Sequence, residues 1–122
     1  FSGFAPRPFA RVALFDVGLL PSVFSSESLP TSVIEYLYMG KPVIATDIGE
    51  IGKMLQDGNI SAGFVLPMKN GEVDIKDLAH AMRELMANSL LYKDLSTNAS
   101  ILSRRFDMEN CVHSYLSLYR TT

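Results

Sequence analysis

The chain has 122 residues, 48% of them apolar and 20% charged, with a formal net charge of −2 at neutral pH. This balance describes a globular domain rather than a disordered segment, and it argues against nucleic acid as a partner. A single cysteine, Cys111, excludes an internal disulfide framework and a four-thiolate zinc site, and no apolar run is long enough to span a bilayer.

In chain order, Phe1-Ser2 reads as the end of a strand, and Gly3 with Pro6-Arg7-Pro8 as a loop. Phe9 to Phe15 is a short helix. Val17 to Leu20 is a short apolar run stopped by Pro21, as expected for a strand buried on both faces. A polar stretch, Ser22 to Leu29, leads to Pro30, which can open a helix because the first turn has no use for its missing N–H. Val33, Ile34, Leu37 and Tyr38 recur at helical spacing, and Gly40 ends the helix. Pro42 to Ala45 is a second buried strand. Asp47 to Gly49 turns the chain, and Glu50 to Leu55 forms a short helix. Gly63 to Leu66 is a third strand, closed by Pro67.

Helices then follow one another. Asp74 and Asp77 form an N-terminal cap with an acidic first turn, ahead of an apolar stripe of Ile75, Leu78, Ala79, Met82, Leu85 and Met86. Leu91, Leu95, Ala99 and Leu102 mark the next helix. Asp107 caps the last, whose stripe is Met108, Cys111, Val112, Tyr115, Leu116 and Tyr119; Cys111 is read as a small buried hydrophobe, and the methionines as core residues. Short apolar strands alternating with helices imply an α/β fold: a Rossmann-like parallel sheet flanked by helices and ending in helices. The few strands and the initial Phe-Ser-Gly suggest the later part of a larger domain.

The stretch from Leu20 to Gly49 carries the chemistry. In an open parallel sheet, ligands bind beyond the carboxyl ends of the strands, and a helix N-terminus there presents unpaired N–H groups to phosphate. Thr31, Ser32 and Val33 are the donors so placed, whereas Pro30 has none. Glu27 and Glu35, with seven residues between them, flank that start. Ionised carboxylates only accept hydrogen bonds, and sugar hydroxyls donate them, so the pattern matches a diphosphate between two sugar rings. Taken singly, Glu27 is also an ordinary loop acid, Glu35 a helix surface acid, and Thr31 and Ser32 simple caps. Asp47 and Glu50 are read as shaping a turn and a helix start. His80 and His113 lack neighbours at metal-ligand spacing, and no Gly-x-Ser-x-Gly elbow surrounds Ser22, Ser25 or Ser26.

Glu27-Ser-Leu-Pro-Thr-Ser-Val-Ile-Glu35 resembles the E-x7-E motif of the retaining GT-B glycosyltransferases, glycosyl transferases group 1. Asp16-Val-Gly-Leu-Leu-Pro-Ser22 resembles the segment before the first glutamate. Gly40-Lys-Pro-Val-Ile-Ala-Thr-Asp47 with Gly49-Glu-Ile51 resembles the segment after the second, and Gly63-Phe-Val-Leu-Pro67 and the later helices follow in the family's order. The resemblance implies that residues 1–122 are part of a C-terminal, nucleotide-sugar-binding domain. Glu27 would then contact the transferred sugar as the catalytic glutamate, and Glu35 would hold the ribose. Leu29 and the amides of Thr31 and Ser32 would line the diphosphate, and Gly3, Phe4, Ala5 and Pro6 would lie beside the base.

The implied donor is a nucleotide-diphosphate sugar, with no cofactor and no metal for the chemistry. The implied acceptor is a glycan or lipid-linked hydroxyl, reached through an N-terminal domain that is not in this sequence. The implied setting is polysaccharide or glycoconjugate synthesis in the cytoplasm or at the inner face of the membrane. Ser28-Leu29-Pro30 departs from the glycine-rich sequence common after the first glutamate, which keeps a non-catalytic nucleotide-sugar-binding module as an alternative, alongside a related epimerase.

Overall fold

The computed structural model describes residues 3–120; the strand end expected at Phe1-Ser2 lies outside them. A parallel sheet of three strands, in the order β1-β2-β5, forms the centre: β1 (Gly18–Leu20), β2 (Val43–Thr46) and β5 (Gly63–Leu66). Gly18 is in register with Val43, which is in register with Gly63. The helices are α1 (Pro8–Val12), α2 (Thr31–Tyr38), α3 (Ile51–Leu55), α4 (Ile75–Ala87), α5 (Ser89–Ser103) and α6 (Met108–Arg120), with a 3₁₀ turn, Arg104–Phe106, before α6.

β2 is the central strand and every residue in it is buried. Its side chains alternate between two cores, as the strand period requires. Val43 and Ala45 join Val33 and Leu37 of α2, Ile51, Met54 and Leu55 of α3, and Ala99 and Leu102 of α5. Ile44 points the other way, to Leu66, to Ala81 and Leu85 of α4, and to Leu95 of α5. Both faces of β2 are therefore covered, which is the α/β arrangement expected from the apolar strand runs.

Three expectations about burial need correction. β1 is an edge strand among the described residues, and Leu19 is 39% exposed, so β1 is not buried on both faces. On α4, Ala81 and Leu85 face the core at i, i+4 spacing, whereas Ile75 is 78% and Met86 85% exposed. The buried ridge is narrower than the predicted stripe: Ala81 and Leu85 join Ile44 and Leu66, and Leu78 packs beside them only partly buried. Met82 and Met86 border an apolar trough of about 390 Å³ beside Val17, Leu19 and Tyr92 instead of filling the core. α6 has no buried residue, and Cys111 is exposed.

Two hairpins were not anticipated. β3 (Gln56–Asp57) pairs with β4 (Ile60–Ser61), and β6 (Met68–Lys69) with β7 (Glu72–Val73), both antiparallel. Their two-residue turns carry positive φ at Gly58, and at Asn70 and Gly71, the geometry that favours Asn and Gly in tight hairpins.

Candidate functional site

β1 and β2 both run toward one edge of the sheet, and the loops leaving that edge form the site. β1 ends at Leu20, and the chain runs through Pro21 into the loop that carries Glu27. The loop is ordered by its own bonds: the Phe24 N–H donates to Ser22 Oγ at 3.2 Å, and the Glu27 N–H to the Phe24 carbonyl at 3.0 Å. It is also held from β2. The buried Thr46 hydroxyl donates to the Ser22 carbonyl, and the Glu50 N–H donates to the Ser28 carbonyl at 2.9 Å.

α2 begins directly afterwards. Pro30 is its N-cap and is buried, and no side chain caps the helix. The Val33 N–H donates to the Pro30 carbonyl at 3.1 Å. This corrects one expectation: Val33 has already spent its donor, so the open N–H groups are those of Thr31 and Ser32. Among the described residues neither of those two has an acceptor, and both lie at the positive end of the helix dipole.

Glu27 and Glu35 are both half-buried, one in the loop and one in the second turn of α2. Among the described residues their carboxylates have no hydrogen-bond or ion-pair partner. Burial, helped by the charge of Glu35, pushes the neighbouring Tyr36 phenol above its ordinary pKa. Leu29 is exposed beside α3 and the 3₁₀ turn, on a shallow concavity that also takes in Glu50, Lys53, Met54, Arg105 and Phe106. The Arg105 guanidinium is fixed there by donating to the Lys53 carbonyl at 2.9 Å.

The remaining nominated residues are placed differently. Gly3, Phe4, Ala5 and Pro6 precede α1 in an irregular segment, largely exposed, and no described hydrogen bond ties them to the Glu27–Glu35 stretch. The Asp107 carboxylate, expected to cap α6, accepts a hydrogen bond from the Tyr38 hydroxyl at the far end of α2, while its carbonyl accepts from the Cys111 N–H. Glu50 pairs with Lys53 at 2.9 Å. Thr46 and Gly49 fall in the segments that carry the family resemblance, but the sequence assigns neither a role at the site. Their signal was only positional: Thr46 ends a buried strand and Gly49 lies in the turn after it, where the chain meets the neighbouring loop.

Residues 1–88 match the family described as Glycosyl transferases group 1. The chain belongs to that family. An uncharacterized glycosyltransferase of Methanocaldococcus jannaschii is 33% identical over 94 residues, which is 77% of this chain and 25% of that protein. The alpha-galactosylglucosyldiacylglycerol synthase of Streptococcus pneumoniae is 29% identical over 107 residues, 88% of this chain and 25% of the synthase. Sucrose-phosphate synthase from Thermosynechococcus elongatus shares the fold with a TM-score of 0.70 at 22% identity, over 91% of this chain and 26% of that enzyme. This group 1 chain thus spans about a quarter of the length of the relatives it matches. Among the described residues no helix is long and apolar enough to cross a membrane.

Proposed function

We propose that this chain is the donor-binding part of the C-terminal domain of a retaining glycosyltransferase. The whole enzyme moves a sugar from a nucleotide-diphosphate sugar to a hydroxyl acceptor. The observation that carries the reading is the start of α2, where, among the described residues, the N–H groups of Thr31 and Ser32 have no acceptor and the carboxylates of Glu27 and Glu35, which flank them in sequence, have no hydrogen-bond or ion-pair partner. In this reading those amides and the helix dipole receive the diphosphate and stabilise its charge as it leaves. Glu35 accepts from the ribose hydroxyls, and Glu27 from hydroxyls of the transferred sugar, placing its anomeric carbon. The segment Gly3 to Pro6 lies beside the base. The acceptor is a glycan or lipid-linked hydroxyl in cell-surface polysaccharide or glycoconjugate synthesis. The pneumococcal relative, named for a glycosylated diacylglycerol, supports the lipid-linked branch. The 122 residues alone are not expected to turn over, since the acceptor would be reached through a further domain.

Glu27→Gln and Glu35→Gln keep shape and remove charge. In the full-length protein each is expected to lower kcat/KM for transfer by roughly 10²-fold, with the circular dichroism spectrum unchanged. Glu35→Gln should act mainly through donor KM, and Glu27→Gln mainly through kcat. Wild-type turnover in both variants would overturn the assignment. A second reading, a binding module without catalysis, is favoured by Pro30 and by the occupied Val33 donor, which together reduce the phosphate-facing amides to two. It predicts that the full-length protein binds UDP, GDP or ADP and transfers no sugar from the corresponding donors.

A further inference from the structure

The loop that carries Glu27 is fixed by contacts from the next strand and its turn. Thr46, the last residue of β2, is fully buried, and its hydroxyl donates to the Ser22 carbonyl at the loop's start. At the loop's other end the Glu50 N–H donates to the Ser28 carbonyl at 2.9 Å. Between these contacts Gly49 adopts φ +55°, and a Cβ there would lie 2.2 Å from the Glu27 carbonyl oxygen and 2.7 Å from that of Ser28. Only glycine allows both that φ and that approach.

α2 rests on β2 through other side chains, Val33 and Leu37 packing in the core with Val43 and Ala45, and on β1 through the close approach of Tyr36 to Gly18. The two halves of the site are therefore held by different contacts: apolar packing for α2, and hydrogen bonds with one close backbone approach for the loop. Amides and Glu35 ride on α2; Glu27 rides on a loop held by β2 and the turn after it.

We propose that Thr46 and Gly49 are positioning residues for Glu27, setting where its carboxylate meets the transferred sugar without contributing to nucleotide affinity. This rests on the donor-site reading above. A misplacement of about 1 Å at a reacting centre can cost on the order of 10²-fold in rate, and a loop freed of one tether costs less than that. The consequence is a separation of parameters. Loosening the loop slows sugar transfer and leaves binding of the free nucleotide intact, because phosphate and ribose contacts lie on α2, whose core packing does not involve the Thr46 hydroxyl or the Gly49 turn.

Thr46→Val removes the hydroxyl at nearly the same shape, Thr46→Ser returns it, and Gly49→Ala pushes the loop directly. In the full-length protein, Thr46→Val is expected to lower kcat for transfer by roughly 10-fold, with Kd for UDP, GDP or ADP, whichever the wild type binds, changed by less than about twofold. Thr46→Ser should recover most of the rate, and Gly49→Ala should fall further than Thr46→Val. Amide hydrogen exchange over residues 22–28, where the Phe24 and Glu27 N–H groups are bonded within the loop, should accelerate in Thr46→Val while exchange in α2 stays unchanged. A wild-type transfer rate in Thr46→Val, or a loss of nucleotide affinity proportional to the loss of rate, overturns the proposal. Should the wild type bind none of the three nucleotides, the donor-site reading fails on its own. The exchange measurement still judges the tether, and unchanged loop exchange in Thr46→Val overturns it.

Discussion

Gly18 sets α2 against the sheet. A Cβ at this position would fall 2.3 Å from the Tyr36 ring, so the absent side chain is what lets the helix lie close to β1. Tyr36 in turn sits beside Glu35 and stacks at a tilt on Phe15, with 6.5 Å between ring centroids. Gly18→Ala is therefore expected to destabilise the protein by about 1–3 kcal/mol, as overpacking does in a filled site. Shortening Tyr36 to alanine removes the two 2.3 Å ring contacts and leaves only its Cβ at 2.9 Å, so in a Gly18→Ala, Tyr36→Ala double variant the two costs should not add. Urea denaturation of the four proteins measures this, and additive costs would show that the ring is free to move aside.

At the scale of elements, the helix starts divide by how their caps are built. Asp74 Oδ1 accepts from the Lys76 N–H at 2.8 Å and Asn88 Oδ1 from the Leu91 N–H at 3.0 Å, whereas α2 has no side-chain cap. Asp74→Ala is expected to cost about 1 kcal/mol, read as a fall in urea midpoint at unchanged slope. α2 has no such cap to lose, in keeping with amides left for a ligand. Asp74 was legible because an acidic pair preceded a helical stripe; Asn88 was not, because it serves both as the end of α4 and as the start of α5. Val43 to Thr46 and Gly63 to Leu66 were legible as strands because buried strands need continuous apolar residues. The β6-β7 hairpin had its signal in Asn70-Gly71, but strands of two residues are too short for periodicity to reveal. Glu27, Glu35, Thr31 and Ser32 stood out because they share one short segment. Thr46 and Gly49 belonged to the segments that carry the resemblance, but their contacts with the Glu27 loop were not legible, because spacing along the chain does not encode contacts between the ends of neighbouring strands.

Across the whole molecule, three tyrosines link elements that the strands alone do not join. Tyr38 on α2 donates to Asp107 before α6, Tyr92 on α5 donates to the Asp16 carbonyl before β1 at 2.8 Å, and Tyr36 packs α2 on β1. All three phenols are pushed above the ordinary value of 10.0. For Tyr38 the main cause is its hydrogen bond to Asp107; for Tyr36 and Tyr92 it is burial, with Glu35 and Asp16 adding repulsion to the ionised form. A raised phenol pKa means that the folded state keeps a proton which the unfolded chain loses first. The stabilisation is complete below the unfolded value and disappears as pH rises through the folded one. Stability is thus expected to be insensitive to these groups up to about pH 9 and to fall above about pH 10. Lysines titrate in the same range, so the wild-type curve alone does not isolate the effect. Tyr38→Phe and Tyr92→Phe do, because each removes one titrating link. Each should be less stable than wild type at neutral pH and lose less stability between about pH 9 and 11. An alkaline slope equal to that of the wild type in both variants would show that these phenols ionise as freely in the folded protein as in the unfolded chain.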